Sequence, residues 1–309
     1  MEAIRPKLQS PLRYPGGKAV LAPFFQSILL RNDLLGCDYY EPFAGGAGAG
    51  LELLGKGLVK RIFINDIDPA VACFWKMVTS RADEFASRVA SVELTVDEWK
   101  RQKTIFENSR GGSALDKAFS TFFLNRTSRS GLLRRAGPIG GFDQTGNYKI
   151  GARFTRDALV ERILAIGEVS DRIIVSEQDG IRFLTTQLPR GHARQNCFAY
   201  IDPPYFVAGS RLYRNGFTLG CHCSVEKYLR NQINLRWVVT YDDAQEIRDI
   251  YRNHTVYKYS LRYSLARKQI GRELLVASKE LRLPKELDYR GRSLRLTNIT
   301  DQTDEHHTD

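Results

Sequence analysis

The sequence predicts an α/β protein with a largely parallel sheet that carries helices on both faces. Short apolar segments alternate with amphipathic segments along most of the chain, and this alternation is typical of parallel sheets joined by helices. The composition, with 42% hydrophobic and 26% charged residues, matches soluble globular proteins and excludes a disordered or fibrous chain. A length of 309 residues accommodates one large domain or two ordinary ones.

The alternating segments give the elements in chain order. Strands are predicted at residues 38–43, 61–65, 172–176, 196–201 and 236–241, and helices at 49–54, 69–78, 180–187, 225–234 and 244–253. Two further strands are predicted at 255–264 and 272–278. Because ligands bind at the carboxyl ends of the strands in such sheets, we expect the functional residues in the loops that follow the strands.

Residues 80–156 interrupt the alternation and are predicted to form an inserted domain of helix and loop. Residues 1–79 and 157–283 would form the sheet domain, and 284–309 a tail whose acidic end, 301–309, is expected to be disordered. The second part of the insertion contains many basic residues, with glycines and aromatic residues between them. The basic residues are Arg126, Arg129, Arg134, Arg135, Lys149, Arg153 and Arg156. This pattern is typical of a loop that contacts phosphates and bases, with a solvated basic surface as the alternative.

The charge balance points to a polyanionic partner. The net charge is +11, which favours nucleic acid. A second basic stretch, residues 252–272, is either a further contact to the polyanion or an exposed hairpin. No apolar run reaches the length of a transmembrane helix, and the first residues lack the apolar core of a secretory signal.

The cysteines predict neither a disulfide framework nor a metal site. The five cysteines are scattered along the chain, which suits a reducing cytosol. Cys221-His222-Cys223 has no second pair of ligands at zinc-finger spacing, so incidental clustering is the preferred interpretation.

The sharpest motif is Asp202-Pro203-Pro204-Tyr205, directly after the strand predicted at 196–201. The prolines cannot continue a central strand because they lack amide donors, and they leave rigid carbonyl acceptors. With Asp202 as a second acceptor and Tyr205 as a flat stacking surface, the segment suits an amino group on a planar ring. A simple turn at the end of a strand is the alternative.

This tetrapeptide resembles a motif of the adenine-N6 DNA methyltransferases, and further segments resemble their Dam-like, D12 class in the same order. The segments lie at residues 11–18, 41–48, 65–68, 122–126, 178–179 and 237–242. The resemblance implies a Rossmann-like class I methyltransferase sheet that binds S-adenosylmethionine. The insertion at 80–156 would then be the target-recognition domain. Ala47 departs from the common form of the family, which has glycine at that position.

The resemblance also implies which residues bind the cofactor. They are Tyr14, Lys18, Phe43, Gly45, Gly46, Asp66, Asp179 and Asp202. Glycines at 45 and 46 allow the backbone to approach a ligand closely. Asp66 would accept the ribose hydroxyls and Asp179 the adenine amino group. The alternative for both is helix N-capping, for which Asp68 is better placed than Asp66.

In the implied reaction, Asp202 and the Pro203 carbonyl accept the hydrogens of the adenine amino group, Pro204 stiffens the segment, and Tyr205 stacks on the base. The base must leave the duplex for this. Arginine pairs with guanine and asparagine with adenine, so base-edge contacts are expected from Asn125, Arg126 and Arg129. The other expected DNA contacts are Arg134, Arg135 and Lys149.

Alternatives within and outside this class remain open at this point. They are methylation of RNA adenine or of cytosine N4, and a catalytically idle DNA-binding protein with the same fold. The expected partner is double-stranded DNA, with or without a cognate restriction endonuclease. The resemblance favours a monomer in the cytoplasm of a prokaryote or in a phage context.

Overall fold

A computed structural model of the chain describes residues 7–14, 18–108, 112–206, 217–264, 268–289 and 292–300. Its centre is an eight-stranded sheet with the order β10-β6-β7-β5-β4-β1-β2-β3. The strands are β1 Cys37–Glu41, β2 Val59–Asn65, β3 Ile173–Ser176, β4 Cys197–Ile201, β5 Arg236–Asp242, β6 Val256–Ser264, β7 Lys268–Ala277 and β10 Thr297–Asn298. Two more, β8 Glu286–Tyr289 and β9 Arg292–Arg295, form a separate hairpin.

Strands β1 to β5 are parallel, and β7 runs antiparallel to both β5 and β6. The chain extends the sheet from β1 in one direction through β2 and β3, and in the other through β4 and β5. The carboxyl ends of β1 and β4 therefore meet at the point where the strand order reverses, which is where open α/β sheets bind ligands.

Helices cover both faces of the sheet. One face is packed by α1 Ala22–Arg31, α2 Gly48–Gly55, α3 Pro69–Ser80 and α7 Arg156–Gly167. The other face is packed by α8 Gly180–Gln187, α9 Leu219–Arg230 and α10 Gln245–Ile250. Each face has its own apolar core, so the predicted α/β architecture is confirmed. Within the described ranges, no helix combines the length and apolar character needed to cross a membrane.

The segment 80–156 begins with three helices, α4 Ala82–Ser91, α5 Val96–Glu107 and α6 Ala114–Thr127. It continues to residue 155 as turns and two short 3-10 helices, Arg129–Gly131 and Ile150–Arg153. A capping box between Ser113 and Asp116 starts α6. Phe122 of α6 stacks on Phe74 of α3 with ring centroids 6.0 Å apart. These helices therefore share one apolar core with the sheet. The domain boundaries at 80 and 156 stay a prediction.

The predicted strands and helices are present, and the largest differences lie at both ends of α9 and at the start of β7. Helix α9 begins at Leu219 rather than at 225 and ends at Arg230 rather than at 234. Its first turn lacks the apolar periodicity that marks a helix in sequence. Strand β7 begins at Lys268 rather than at 272, because its pairing with β6 continues as far as the pair formed by Lys268 and Ser264. The expectation of disorder at 301–309 lies outside the described residues.

Candidate active site

The loop after β1 contains Gly45 and Gly46, which have no side chains, and the Tyr14 ring packs against their backbone. Gly45 has a φ of +47°, and a Cβ there would lie 2.6 Å from the Tyr14 ring. A Cβ at Gly46 would lie 3.2 Å from Tyr14 Cβ. Ala47 takes a left-handed φ of +46°, a conformation that costs a side chain more than it costs glycine. Only glycine at position 45 permits the contact with Tyr14.

Asn65, the last residue of β2, is hydrogen-bonded to the segments that follow β1 and β3. The Asn65 side chain donates to the carbonyls of Pro42 and Gln178, 2.9 Å each, and accepts from the Gln178 amide. Asp66 accepts from the backbone amides of Gly45 (3.0 Å) and Asp68 (2.9 Å). Burial raises the pKa of Asp66 to about 6, against the pull of these amides. Asp66 thus lies beside Gly45 in the loop after β1, which we call the glycine loop after Gly45 and Gly46.

The N-cap of α3 is Asp68, which accepts from the Ala70 amide at 3.0 Å. This confirms the assignment of the cap to Asp68 rather than Asp66. Asp179 caps α8 through Oδ1, which accepts from the amides of Ile181 and Arg182. Its side chain is exposed, so capping leaves it accessible to a ligand.

Phe43 joins the loop after β1 to the start of α8. A Cβ at Gly180 would lie 2.5 Å from the Phe43 ring, so glycine is needed for this close packing. Phe217 contacts the same ring edge to face, with centroids 5.7 Å apart. Phe43 therefore lies between Asp179 and the glycine loop.

Asp202 follows β4 and is held by the neighbouring strand β5. Its Oδ1 accepts a 2.7 Å hydrogen bond from the Thr240 hydroxyl, which also pairs with the Tyr200 hydroxyl at 2.8 Å. The Asp202 side chain is 19% exposed, so the carboxylate stays reachable. Burial raises the pKa of Asp202 to about 6, Lys18 opposes that rise, and Glu273 adds to it.

A second acid lies close by. Glu41, the last residue of β1, is buried, and burial together with Asp202 raises its pKa to about 8. At neutral pH Glu41 is therefore mostly protonated, whereas Asp202 is mostly ionised. Of these two acids, Asp202 is therefore the one that carries a negative charge at neutral pH.

Lys18 and Glu273 form a buried ion pair next to Asp202. The Lys18 ammonium donates to both Glu273 oxygens, at 2.9 and 3.0 Å, and lies 3.9 Å from Asp202 Oδ1. It also donates to the Tyr205 hydroxyl and lies 4.8 Å from the centroid of the Tyr205 ring. The hydroxyls of Tyr205 and Tyr259 both donate to Glu273. The network fixes the orientation of Tyr205.

Glu41, Thr240 and Glu273 were not among the predicted site residues. Glu41 and Thr240 lie in the segments 41–48 and 237–242 that resemble the family, whereas Glu273 lies inside a strand with no motif around it. The one signal for Glu273 is an acid directly before the apolar residues 274–277 of β7. Pro203 is buried and Pro204 half-buried. Pro15, Gly16, Gly17 and residues 207–216 lie outside the described residues.

The residues predicted to contact DNA take different positions. Asn125 is buried, and its amide bonds to Arg13 and Gly131 backbone atoms. Its amide therefore holds these two backbone segments together, and the base contact expected of Asn125 stays a prediction. Arg126 is largely buried behind it. Arg129, Arg135 and Lys149 are exposed, and Arg134 is half-buried with Asp68 3.8 Å away.

No metal centre is visible in the part of the chain that the structure describes, where no three His, Cys, Asp or Glu side chains converge. His222 is buried, and its Nδ1 lies 3.3 Å from the Tyr241 hydroxyl. Burial lowers the pKa of His222 to about 4, so this histidine is neutral at physiological pH.

Comparison with known proteins shows which family has this sequence. The family model of the D12 class N6 adenine-specific DNA methyltransferases matches residues 14–265. The chain belongs to this family. It is also 26% identical over 211 residues to the type II methyltransferase M.MjaIII of Methanocaldococcus jannaschii, covering 63% of this chain and 68% of that protein. This D12 class methyltransferase is an adenine-specific enzyme that acts on DNA.

Proposed function

We propose that the enzyme transfers a methyl group from S-adenosylmethionine to N6 of an adenine flipped out of double-stranded DNA. The observation that carries this proposal is the position of residues 202–205. They follow β4 at the reversal of strand order, directly across from the glycine loop after β1. The acceptor groups for an amino nitrogen and the glycine backbone for a cofactor would thus face each other at one edge of the sheet, where such folds bind ligands.

The residues at this edge of the sheet fit the cofactor. The glycine backbone at 45 and 46 offers the close approach that the methionine part needs, beneath the Tyr14 ring. Asp66 would accept the ribose hydroxyls, and Phe43 would pack beside the adenine ring. Asp179 would accept from the adenine amino group, while Lys18 and Asp202 border the reacting end. When bound, S-adenosylmethionine supplies an electrophilic methyl group on a sulfonium.

Asp202 makes the weak amino nucleophile of adenine reactive. Its carboxylate and the Pro203 carbonyl would each accept one hydrogen of the amino group, which draws the lone pair of the nitrogen out of the ring. As the nitrogen–methyl bond forms, the sulfur–methyl bond would break with its electron pair left on sulfur, and the nitrogen must lose one proton. With a pKa of about 6, Asp202 can accept that proton and release it to water at neutral pH. Thr240 holds the carboxylate in position.

Tyr205 would stack on the flipped base, and Pro204 keeps the backbone of the segment rigid. Unpairing and unstacking a base costs a few kcal/mol. Stacking on an aromatic side chain returns roughly 1–3 kcal/mol, so phosphate contacts must supply the rest. The buried hydroxyl of Tyr205 keeps the ring in place before the base arrives, which reduces the entropy lost on binding.

The basic loop of residues 128–155 would supply DNA contacts through Arg129, Arg134, Arg135 and Lys149. Their exposed or half-exposed side chains and the glycines between them support this role. Within the proposed division of labour, residues 80–156 recognise the target, and residues 1–79 with 157–283 carry catalysis.

The biological setting we propose is restriction–modification in a prokaryotic or phage context, because M.MjaIII is a type II methyltransferase. A cognate restriction endonuclease would then accompany this enzyme. We further propose that it acts as a monomer in the cytoplasm, since a methyltransferase needs to engage only one strand per reaction.

The test is incubation of the protein with labelled S-adenosylmethionine and mixed-sequence duplex DNA, followed by digestion and separation of nucleosides. We expect label in N6-methyladenine. Label in N4-methylcytosine, or only with RNA as substrate, would contradict the proposal. Cofactor binding without any methylation of DNA would indicate a catalytically idle protein.

A further inference from the structure

Four arginines from four different segments lie near one another, with three of them within electrostatic range of Arg126, and we call them the arginine cluster. They are Arg13, Arg126, Arg153 and Arg162. The Asn125 side chain holds the backbone of Arg13 next to the end of α6, where Arg126 follows it in the chain, because its oxygen accepts from the Arg13 amide at 2.6 Å and its nitrogen donates to the Arg13 carbonyl at 2.7 Å. Arg13, Arg162 and Arg153 lie close enough to Arg126 for their charges to lower its pKa.

Arg162 and Arg153 are held near Arg126 by contacts of their own segments. Arg162 of α7 donates to the Ser10 carbonyl at 3.2 Å, three residues before Arg13 in the chain. Arg153 precedes Phe154, whose ring contacts Phe122 of α6 with centroids 5.6 Å apart. The cluster is therefore held by the folded core rather than by flexible loops.

The arginine cluster has no anionic partner within the described residues. None of its four members forms an ion pair there, and the hydrogen bonds of Arg13 and Arg162 go to backbone carbonyls. The Arg126 Nε is buried and has no hydrogen-bond partner. Burial and the three neighbouring arginines lower the pKa of Arg126 to about 10. Neighbouring positive charges and a buried donor without a hydrogen-bond partner destabilise the folded protein, unless an anion binds among them.

We propose that the arginine cluster is a phosphate-binding site that takes one phosphodiester group of the DNA strand. The inference deepens the proposed function and rests on DNA being the substrate. Planar guanidinium groups match phosphate oxygens bidentately. Arg13 is adjacent to Tyr14, which covers the glycine loop, so a phosphate held here would lie close to the reacting base.

A second anion shares this chemistry, namely the carboxylate of the cofactor's methionine part. That carboxylate offers two acceptor oxygens and is accompanied by an ammonium group, which four guanidinium groups would repel. A phosphodiester lacks such a cation, so it fits the cluster better. The two sources are separated by measuring DNA binding and cofactor binding on the same variants.

The test compares Arg126→Gln with the control Arg190→Gln. The control removes one exposed arginine that precedes β4, on the side of the sheet where the parallel strands begin rather than where they end. We expect Arg126→Gln to weaken duplex binding roughly tenfold at 0.1 M salt, and to reduce the slope of log K against log salt by about 0.9. We expect its melting temperature without DNA to equal or exceed that of the wild type, because repulsion within the cluster is relieved. Arg190→Gln should match the wild type in all three measurements.

Arg153→Gln is a second variant, which should also weaken DNA binding. Because the Arg153 side chain is exposed, its replacement should leave the fold intact. Wild-type DNA affinity and salt slope in Arg126→Gln and Arg153→Gln would overturn the inference. So would a loss of S-adenosylmethionine affinity with DNA affinity intact, since the anion would then be the cofactor's carboxylate. Failure of the proposed function would instead show as wild-type protein that binds duplex DNA but forms no N6-methyladenine.

Discussion

Glu273→Gln removes the charge that faces Lys18 while keeping the size of the side chain. Lys18 and Glu273 side chains are 4% and 1% exposed, so the ammonium would be left buried without its strongest partner. Breaking a buried ion pair in this way costs about 3–5 kcal/mol. Asp202, 3.9 Å from the Lys18 ammonium, provides a fallback partner, which places the expected loss near the lower end of that range.

A loss of about 3 kcal/mol lowers the melting temperature by roughly 6–12 °C, at 2–4 °C per kcal/mol for a domain of about 200 residues. The assay is a thermal or urea unfolding cycle with Glu273→Gln, Lys18→Met and the double variant. The double variant leaves no unpaired ammonium, so it should be more stable than the two separate losses predict. A sum that is additive within about 0.5 kcal/mol would refute the coupling.

The same substitution also moves the pH dependence of methylation. Glu273 raises the pKa of Asp202, and Lys18 lowers it. With Glu273 neutral and Lys18 drawn towards Asp202, the pKa of Asp202 falls below its wild-type value. We therefore expect the acid limb of kcat/KM to shift to lower pH in Glu273→Gln. An acid limb that stays in place or moves to higher pH would show that Glu273 acts only on stability.

Two further predictions concern Asp202 and the glycine loop. Wild-type methylation should fall below about pH 6 as Asp202 becomes protonated, and Asp202→Asn should abolish turnover at every pH. Because a raised carboxyl pKa means that the folded state favours the neutral form, Asp202→Asn should not lower the melting temperature at pH 7; a large decrease would assign the residue a structural role. Gly45→Ala should weaken S-adenosylmethionine binding more than Gly36→Ala does, as measured by titration. Both glycines have positive φ, but only a Cβ at 45 meets the Tyr14 ring, whereas one at 36 meets nothing within 4 Å; equal losses would exclude the Tyr14 contact as the cause.

The order of the strands along the chain was predictable because apolar periodicity is a local property. The strand before Asp202 and the helix after Asp179 follow from apolar runs that end at a turn residue. Likewise, Asp68 as the cap of α3 follows from its position before Pro69. Because each of these features depends only on residues adjacent in the chain, each can be predicted from the sequence.

Asn125 illustrates the opposite case. As a side chain beside arginines it resembles a base-reading residue, yet the fold buries it against the backbone of Arg13, which is distant in sequence. The arginine cluster and the Glu273 network depend in the same way on which segments become neighbours. No periodicity within α6 or β7 encodes those neighbours.

The sequence by itself determined the α/β class, the acceptor segment at 202–205 and the glycine loop, because each is a run of adjacent residues. Only the tertiary structure decided that β7 inserts between β5 and β6, which brings Glu273 to Lys18 and Tyr205. The physical reason is that burial and charge depend on distance in space. A carboxylate in a strand acquires its function from the ammonium packed against it, and that contact joins residues at opposite ends of the chain.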